Sequence, residues 1–555
     1  MAEKLKIKLA QLNPILGDID GNIKKILEVK NKTSADTDLI VYSEQIVTGY
    51  PQEDLVLKPF FLRRVADGIK QLALDTKTGP AMLVSAPWRA AGKTFNAAFL
   101  LTDGQIEAIR YKHELPNYGV FDEVRVFEPG PLPGPISFKG FKLGVMTCED
   151  MWSPKVTESL HAHNSDILVA LNGSPFETDK PNARTDHAKN RVRETGLPLI
   201  YVNQVGGQDE LVFDGGSFAL NSAGEIITNL KSHTEDCSTT VWQKTDTGLQ
   251  CIECDDQCPQ LSENEAIYKT LVLGLRDYVN KNGFKGVILG MSGGIDSALS
   301  AAIAVDAIGS NRVRCVMMPS PFTSKDSLED AEECTKLLNA KYDTVGIGPA
   351  MAAFKSMIED NTDDTTAGIT GENIQARSRG LVLMAISNAS NYMVLSTGNK
   401  SEMSVGYATL YGDMCGGYSV LKDVYKLTVF ELCKWRNQCG PSDMLGPVGR
   451  VIPERIITKP PSAELAPDQK DEDSLPPYED LDDILTCLIE EDMGFDSIVQ
   501  RGHSAETVNK VWRLLDRAEY KRRQAPPGVK ITSKAFGKDR RYPITNKFVD
   551  LLEVS

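Results

Sequence analysis

The first 230 residues contain short apolar runs, separated by polar turns and by stretches with helical periodicity. The runs are KIKLAQL, DLIVYSE, AMLVSAP, AAFLLTDG, KLGVMTC, DILVALNG, PLIYVNQVG and SFALNSAG. Helical stretches lie between some of them, at residues 21–30 and 59–75. Strands interleaved with helices predict an α/β domain or a layered α-β-β-α domain, which we assign to residues 1–260.

The pattern changes near residue 260, where a second domain is predicted to begin. Ser262 and Glu265 form an S-x-x-E capping pattern, and a run with helical period follows over AIYKTLVLGLRDYVNKNG. Beyond it, GVILG, RVRCVMMP, YDTVGIG and YMVLSTGN are short, continuously apolar runs. Such runs are typical of a buried, Rossmann-like parallel sheet, so we predict a second α/β domain over residues 261–555. Its ligands are expected beyond the carboxyl ends of the strands.

Composition narrows the classes of function. The chain has 555 residues, of which 41% are hydrophobic and 25% charged, and its formal net charge is −15. This charge argues against nucleic acid as the main partner. No apolar run approaches the roughly 20 residues that span a bilayer, and the start of the chain lacks the pattern of a signal peptide. A cytosolic (cytoplasmic) protein without a membrane partner is therefore the expectation.

The 11 cysteines are expected to be free thiols, because they are odd in number and scattered. Cys251 and Cys254 form a C-x-x-C pair near Cys237 and Cys258, but the second half of a zinc site is poor. Unpaired thiols in a connector are the preferred interpretation.

Two later segments have unusual composition. The proline-rich, acidic segment 459–492 is either a solvated linker or a cover over an active site. The locally basic stretches EYKRRQ and KDRRYP near the end favour an anion contact.

The stretch GMSGGIDSALS follows an apolar run and precedes an alanine-rich stretch, which predicts a phosphate-binding loop at the start of a helix. Its candidate ligand residues are Gly290, Met291, Ser292, Gly293, Gly294, Ile295, Asp296 and Ser297. The loop lacks the lysine of G-x-x-x-x-G-K-[ST] and does not match G-x-G-x-x-G. Asp296 supplies a hard oxygen ligand suited to Mg²⁺ beside a phosphate.

SGGIDS resembles the pyrophosphate-binding loop of the N-type ATP pyrophosphatases, which cut ATP between its α and β phosphates. The stretches MPSPFTSKDSLEDA, GENIQARSRG and STGNKSEMSVGYATLYGDMCGGYSVLKDVYK extend the resemblance to the NAD synthetases. The resemblance implies that Thr397 contacts ATP, and that Glu402 faces both deamido-NAD and Mg²⁺, a metal that Asp296 shares. It also implies that Asn373 and Lys521 contact deamido-NAD.

The first domain carries a candidate nucleophile, Cys148, directly after an apolar run. By itself a lone cysteine is more often a buried structural thiol. Glu44 also follows an apolar run, and Lys112 lies in YKHELPNYGVFDE. A carboxylate, a lysine and a cysteine can supply a base, an oxyanion donor and a nucleophile.

These segments resemble the nitrilase or carbon–nitrogen hydrolase superfamily, whose Glu-Lys-Cys triad hydrolyses amides and nitriles. More narrowly, GYPQEDL, LPNYGVFDE, CEDMW, NGSPF and VNQVGGQDELVFDGGSF are similar to the glutaminase domain of glutamine-dependent NAD synthetases. The resemblance implies a nitrilase-like α-β-β-α sandwich, with Glu44 as base, Lys112 at the oxyanion and Cys148 as nucleophile. It also implies glutamine contacts at Tyr118, Ser174 and Lys180.

Together the two resemblances imply an ATP-dependent ligase that uses L-glutamine to amidate deamido-NAD. They also imply an internal ammonia tunnel and a large homo-oligomer, commonly an octamer. Three alternatives remain at this point: another glutamine amidotransferase with the same ATP loop, a nitrilase-type amidase with a degenerate nucleotide domain, and a non-catalytic NAD-binding protein. Intact Cys148 and Asp296 argue against the last.

Overall fold

The computed structural model describes residues 3–246, 248–440, 443–466 and 469–548. The chain divides into two compact units, Met1–Leu261 and Ser262–Ser555, and each is described by itself below. Within the described ranges, no helix is both long and apolar enough to cross a membrane.

The first unit consists of strands β1 to β15 and helices α1 to α4. The strands are β1 (Lys4–Gln11), β2 (Leu39–Tyr42), β3 (Ala81–Ala90), β4 (Lys93–Thr102), β5 (Gln105–Tyr111), β6 (Ile136–Phe138), β7 (Phe141–Thr147), β8 (Ile167–Asn172), β9 (Leu199–Asn203), β10 (Val205–Gln208), β11 (Leu211–Asp214), β12 (Phe218–Leu220), β13 (Ile226–Asn229), β14 (Asp236–Thr245) and β15 (Gly248–Cys254). The helices are α1 (Ile19–Lys32), α2 (Pro59–Asp75), α3 (Pro154–Ala162) and α4 (Lys180–Thr195).

Two stacked sheets form the centre of this unit. One has the order β15-β14-β1-β2-β3-β4-β5 and the other β13-β12-β9-β8-β7-β6. Apolar residues of both sheets, among them Leu9 and Val169, form one core between them. Further cores join the first sheet to α1 and α2, and the second sheet to α3 and α4. The unit is therefore an α-β-β-α sandwich, which confirms the fold predicted for it.

The cysteine-bearing stretch before residue 255 is not a connector, as the sequence suggested, but a strand pair. β14 pairs antiparallel with β1 from Lys4 to Gln11, and β15 pairs with β14. Cys237 lies on β14, while Cys251 and Cys254 lie on β15. The stretch is polar because β15 is an edge strand whose residues are largely exposed. No group of three or more potential metal ligands occurs in the described part of the chain.

The second unit consists of strands β16 to β20 and helices α5 to α16. The strands are β16 (Val287–Gly290), β17 (Val313–Met317), β18 (Lys341–Thr344), β19 (Met393–Ser396) and β20 (Tyr418–Ser419). The helices are α5 (Glu263–Lys281), α6 (Ile295–Ile308), α7 (Lys325–Leu337), α8 (Gly348–Glu359), α9 (Ile369–Ser390), α10 (Lys400–Val405), α11 (Lys426–Cys439), α12 (Glu454–Thr458), α13 (Tyr478–Ile489), α14 (Phe495–Gln500), α15 (Ala505–Arg517) and α16 (Glu519–Arg522).

All strand pairs of the second unit are parallel, in the order β18-β17-β16-β19-β20, which confirms the predicted parallel sheet. The order reverses at β16, so the SGGIDS loop leaves the sheet at a switch point, where such folds bind ligands. Gly293 lies at φ +80° in this loop. A Cβ there would lie 2.3 Å from the Ser327 carbonyl oxygen, so only glycine fits.

The two segments of unusual composition have structural roles. Residues 459–465 line a cavity at the SGGIDS loop, which agrees with a cover and not with a solvated linker. In the basic C-terminal region, Arg522 is buried and paired with Glu519 at 2.8 Å, and Lys530 pairs with Asp539 at 3.3 Å. These two cations therefore serve internal ion pairs and not the anion contact that the clustering suggested.

Two candidate active sites

Glu44, Lys112 and Cys148 lie just beyond β2, β5 and β7 in the first unit. Lys112 Nζ lies 2.9 Å from Glu44 Oε1, and both side chains are fully buried. The Cys148 thiol is buried next to them. Its pKa is raised well above the ordinary value, first by burial and then by the Glu44 charge. Before substrate binds, the cysteine is therefore a thiol, and it needs a base to become a nucleophile.

Cys148 occupies a constrained turn. Its φ is +47°, in the left-handed region that a residue with a side chain rarely adopts. The Asp150 carboxylate holds the turn, because it accepts hydrogen bonds from the backbone N–H of Thr147 at 3.0 Å and of Glu114 at 2.8 Å. Burial, partly offset by these bonds, raises the pKa of Asp150 to about 6. The turn is thereby tied to the segment that follows Lys112.

A second carboxylate, which the sequence analysis missed, completes the buried charge network. Lys112 Nζ lies 2.9 Å from Glu123 Oε1, and the Tyr50 hydroxyl donates to the same oxygen at 2.9 Å. Burial raises the pKa of Glu123 to about 7, although the Lys112 charge opposes the rise. Glu123 ends the LPNYGVFDE motif, so its position in a quoted motif was the available signal.

The three predicted glutamine contacts differ in setting. Tyr118 is exposed, and its hydroxyl donates a hydrogen bond to Glu149 Oε2 at 2.9 Å. Glu149 follows Cys148 directly in the sequence. Ser174 is buried in the loop after β8. Lys180 Nζ lies 3.2 Å from a Glu177 oxygen and 5.5 Å from the centre of the Phe121 ring.

The second unit contains a cavity of about 300 Å³ at the carboxyl ends of the parallel strands. Nine predicted nucleotide-site residues line it: Gly290, Met291, Ser292, Gly294, Ile295, Asp296, Ser297, Thr397 and Glu402. The loop is braced internally, since Gly294 N donates to Ser292 Oγ at 3.1 Å and Ser297 Oγ to the Gly294 carbonyl at 2.9 Å. The cavity thus lies at the amino end of α6, where a helix favours anions.

An acid pair and a lysine lie in this cavity. Lys426 Nζ lies 2.5 Å from Asp296 Oδ2 and 3.1 Å from Glu402 Oε1. Burial raises the pKa of Glu402 to about 8; the Lys426 charge opposes this and the Asp296 charge adds to it. The Asn399 amide connects the pair, because it donates to Asp296 Oδ1 at 2.8 Å and accepts from Glu402 N at 2.9 Å. Carboxylate oxygens, as on Asp296 and Glu402, are the ligands that a hard divalent cation prefers.

Lys426 and Asn399 were not singled out from the sequence, although both lie in the quoted stretch STGNKSEMSVGYATLYGDMCGGYSVLKDVYK. Conversely, Asn373 and Lys521 are not among the residues that line the cavity. Asn373 Oδ1 accepts from Thr409 Oγ1 at 3.1 Å, and Lys521 Nζ donates to the carbonyls of Gly406 and Ala408 at 2.8 and 2.7 Å. Since Ala408 is itself a lining residue, Lys521 lies directly behind the wall.

Comparison with known proteins finds matches to both units. The family model for carbon-nitrogen hydrolases matches residues 6–247, and that for NAD synthases matches residues 267–525. The glutamine-dependent NAD(+) synthetase of Rhodobacter capsulatus is 44% identical over 99% of this chain and 100% of its own length. That of Acinetobacter baylyi is also 44% identical, over 98% of this chain and 99% of its own length.

Two solved structures cover nearly the whole chain. The glutamine-dependent NAD+ synthetase from Acinetobacter baumannii, in complex with ADP, is 44% identical, with a TM-score of 0.78 over 98% of this chain and 99% of its own. The synthetase from Cytophaga hutchinsonii is 20% identical with a TM-score of 0.82 over 98% of each chain, a likeness in fold.

The fold and the two sites define an enzyme that joins a carbon–nitrogen hydrolase domain to an NAD synthase domain. The chain belongs to the family of glutamine-dependent NAD(+) synthetases. Matches to both domains argue against a nitrilase-type amidase and against an amidotransferase of another substrate class.

Proposed function

We propose that the chain amidates deamido-NAD to NAD(+), the final step of NAD biosynthesis, with ATP as energy source and L-glutamine as nitrogen donor. One observation carries the proposal: a single chain holds a buried Glu-Lys-Cys network and a cavity that joins the SGGIDS loop to an acid pair. Full-length similarity to the synthetase family supports the same pairing of activities.

In the glutaminase reaction, Glu44 takes the proton of the Cys148 thiol, and the sulfur attacks the glutamine carboxamide carbon. Lys112, which is held between two carboxylates, stabilises the oxyanion that forms. The C–N bond then breaks, and the proton leaves with ammonia as a thioester remains on Cys148. Water, deprotonated by Glu44, attacks the thioester carbon; the C–S bond breaks, glutamate is released, and Glu44 returns the proton to the Cys148 sulfur. Tyr118, Ser174 and Lys180 are proposed to hold the glutamine.

In the synthetase reaction, the nicotinate carboxylate of deamido-NAD attacks the α-phosphorus of ATP, and pyrophosphate leaves. The loop Gly290–Ser297 is proposed to hold the leaving pyrophosphate through its N–H groups and serine hydroxyls, with Thr397 on ATP. Ammonia then attacks the adenylated carboxyl carbon and AMP departs. Asn373, Glu402 and Lys521 are proposed to hold deamido-NAD. The internal path of ammonia stays a prediction from the family resemblance.

Asp296 and Glu402 would hold Mg²⁺, which would supply charge neutralisation for the phosphates. Two features of the cavity fit this assignment: the donor set consists of carboxylate oxygens, and the pair is only partly exposed, at 17% and 18%. Lys426 neutralises part of this negative charge from the protein side.

We also propose a homo-oligomer, by family resemblance an octamer. The support is an apolar face on α8 and α9, where Phe354, Met357, Leu381 and Met384 are exposed. Exposed apolar side chains of this size on neighbouring helices are typical of a surface that a second copy covers. Light scattering should give a mass of about eight times 60.9 kDa, and a monomer at micromolar concentration would contradict the assignment.

The decisive experiment measures NAD(+) formation from deamido-NAD, ATP and Mg²⁺ with either glutamine or ammonium. Cys148→Ala should abolish the glutamine-driven reaction and leave the ammonium-driven reaction unchanged. Asp296→Ala should abolish both. Equal loss of both reactions in Cys148→Ala would refute the division of labour, and ammonium-driven activity in Asp296→Ala would refute the role of Asp296.

A further inference from the structure

The loop that carries Ser174 is held by side chains that have no assigned role. Asn203, at the end of β9, accepts a hydrogen bond from Ser174 N at 2.9 Å through its Oδ1. Its Nδ2 donates to the carbonyls of Ser174 and Gly215, each at 3.0 Å. The Ser174 backbone is therefore fixed before any ligand binds.

Arg184, on α4, reaches the same loop from the other side. Its guanidinium is 3% exposed and forms an ion pair with Asp214 at 2.8 Å. It also donates to the Pro175 carbonyl at 2.9 Å, and to the carbonyl and the hydroxyl of Ser174 at 3.2 Å each. A buried guanidinium that is paired and hydrogen-bonded in this way holds a rigid, directional set of donors.

The direction of one of these bonds determines what Ser174 can offer a ligand. A guanidinium has donors and no acceptor, so the Ser174 oxygen accepts from Arg184 Nε and its own hydrogen points elsewhere. The Tyr201 hydroxyl lies near Ser174 but makes no hydrogen bond of ordinary geometry among the described residues. Among the described residues, the Ser174 O–H therefore has at most this weak contact with the Tyr201 oxygen, and an oxygen atom of a ligand can replace it as the acceptor.

We propose that Arg184, held by Asp214, is a positioning residue for glutamine recognition, which orients Ser174 so that its hydroxyl donates to an oxygen of glutamine. The inference rests on the proposed contact between Ser174 and glutamine, and it adds the residues that set that contact. Arg184 acts through Ser174 and takes no part in the bond changes at Cys148.

Steady-state kinetics of Arg184→Lys test this role. Lysine keeps the charge next to Asp214 but cannot reproduce the set of guanidinium donors. The KM for glutamine should rise about tenfold, the effect of one lost hydrogen bond in a binding site, while kcat stays within about threefold. Ammonium-driven synthesis should not change.

Arg191→Lys is the matched control, because Arg191 is a buried arginine of the same helix that pairs with Glu194 at 2.7 Å. The KM of this variant for glutamine should equal that of the wild type.

A double-mutant cycle tests whether Arg184 acts through Ser174. Ser174→Ala should raise the KM for glutamine, and adding Arg184→Lys to it should raise the KM less than twofold further. An unchanged KM in Arg184→Lys, multiplicative effects in the double variant, or a loss confined to kcat would each overturn the inference. If Arg184→Lys does not fold, Asp214→Asn, which removes only the paired charge, should raise the KM about threefold, and an unchanged KM would refute the role.

The outcome also separates this inference from the proposed function. If Cys148→Ala loses glutamine-driven synthesis but Ser174→Ala has a normal KM for glutamine, the positioning role fails and the glutaminase assignment stands. If Cys148→Ala keeps glutamine-driven synthesis, the glutaminase assignment itself fails.

Discussion

Both candidate sites place a buried lysine between two carboxylates, yet the surroundings of the two lysines differ. Lys112 and its partners Glu44 and Glu123 are at most 5% exposed. Lys426 is equally buried, at 2%, but Asp296 and Glu402 are 17% and 18% exposed and line a cavity. When both carboxylates of a network are ionised, the lysine leaves a formal charge of −1 in each case. The first network is closed within the protein, whereas the second presents its negative charge to a ligand.

The closed network is complete without substrate, so Lys112 is already held in place for the oxyanion role proposed for it. In the open network, which consists of Lys426, Asp296 and Glu402, the lysine and a divalent cation would both neutralise charge on the same two carboxylates. The comparison predicts that the reactions that depend on Lys112 are not the same as those that depend on Lys426.

Replacing each lysine with methionine should give the largest effects. Lys112→Met should lower glutamine-driven synthesis about a thousandfold, because an oxyanion donor is lost, with ammonium-driven synthesis unchanged. Lys426→Met should lower both reactions about a hundredfold, because the acid pair loses its internal counter-charge. Rates with each nitrogen donor, compared in parallel, measure both effects.

The predicted difference between the two lysines would be wrong if Lys112→Met impaired the ammonium-driven reaction, or if Lys426→Met impaired only the glutamine-driven reaction. Removing either lysine leaves buried carboxylates unpaired, which destabilises a protein. Thermal unfolding of each variant should therefore accompany the kinetics, so that a folded but inactive variant can be recognised.

The sequence predicted the parts of each site that lie in contiguous motifs. The SGGIDS loop, Glu44 and Cys148 follow apolar runs that are visible in the sequence. Lys112 follows β5, which was not predicted, and it was found through the motif YKHELPNYGVFDE. Lys426 was missed because a lysine at the start of a helix is usually solvated, and its burial depends on chain segments distant in sequence. The pairing of Asn399 with Asp296 likewise joins residues 103 positions apart.

The fold, like the sites, was predicted where the sequence has a clear local pattern. Helix α2 has the bounds that the hydrophobic period indicated, Pro59–Asp75. The strand pair β14 and β15 was missed because polar residues interrupt the apolar pattern of β14, and because β15 is an edge strand whose residues are largely exposed. Roles that depend on a bound ligand, such as those of Asn373 and Lys521, stay predictions.

Glu123→Gln should give an intermediate effect. The substituted side chain at position 123 keeps an oxygen that can accept hydrogen bonds from Lys112 and Tyr50, but it removes one negative charge from the closed network. The kcat of glutamine-driven synthesis should fall about tenfold to a hundredfold with little change in KM, since a charged hydrogen bond is lost.

Glu128→Gln is the control for this substitution, because Glu128 is exposed and pairs with Lys93 at 3.2 Å. Its rates should match those of the wild type. A Glu123→Gln variant with normal kcat would mean that Glu44 alone holds Lys112, and the closed network would then reduce to the triad.

The smallest effect should appear in the pH dependence of stability of the open site. The pKa of Glu402 is raised from 4.5 to about 8 in the folded protein, chiefly by burial. The folded state therefore binds this proton more tightly than the unfolded chain does. Its contribution to the free energy of unfolding is full below about pH 4.5 and is lost as the pH rises through about 8. Glu402→Gln cannot titrate, so its Tm should fall less than that of the wild type between pH 5.5 and 8.5, by a few degrees.

Scanning calorimetry in EDTA, without nucleotide, measures this difference. Glu333→Gln is the matched control, because Glu333 is 48% exposed and forms a surface ion pair with Arg450 at 3.1 Å. Its Tm should follow the wild-type curve at every pH. Parallel Tm curves for wild type and Glu402→Gln would show that Lys426 keeps Glu402 ionised throughout, and the open site would then be as well compensated as the closed one.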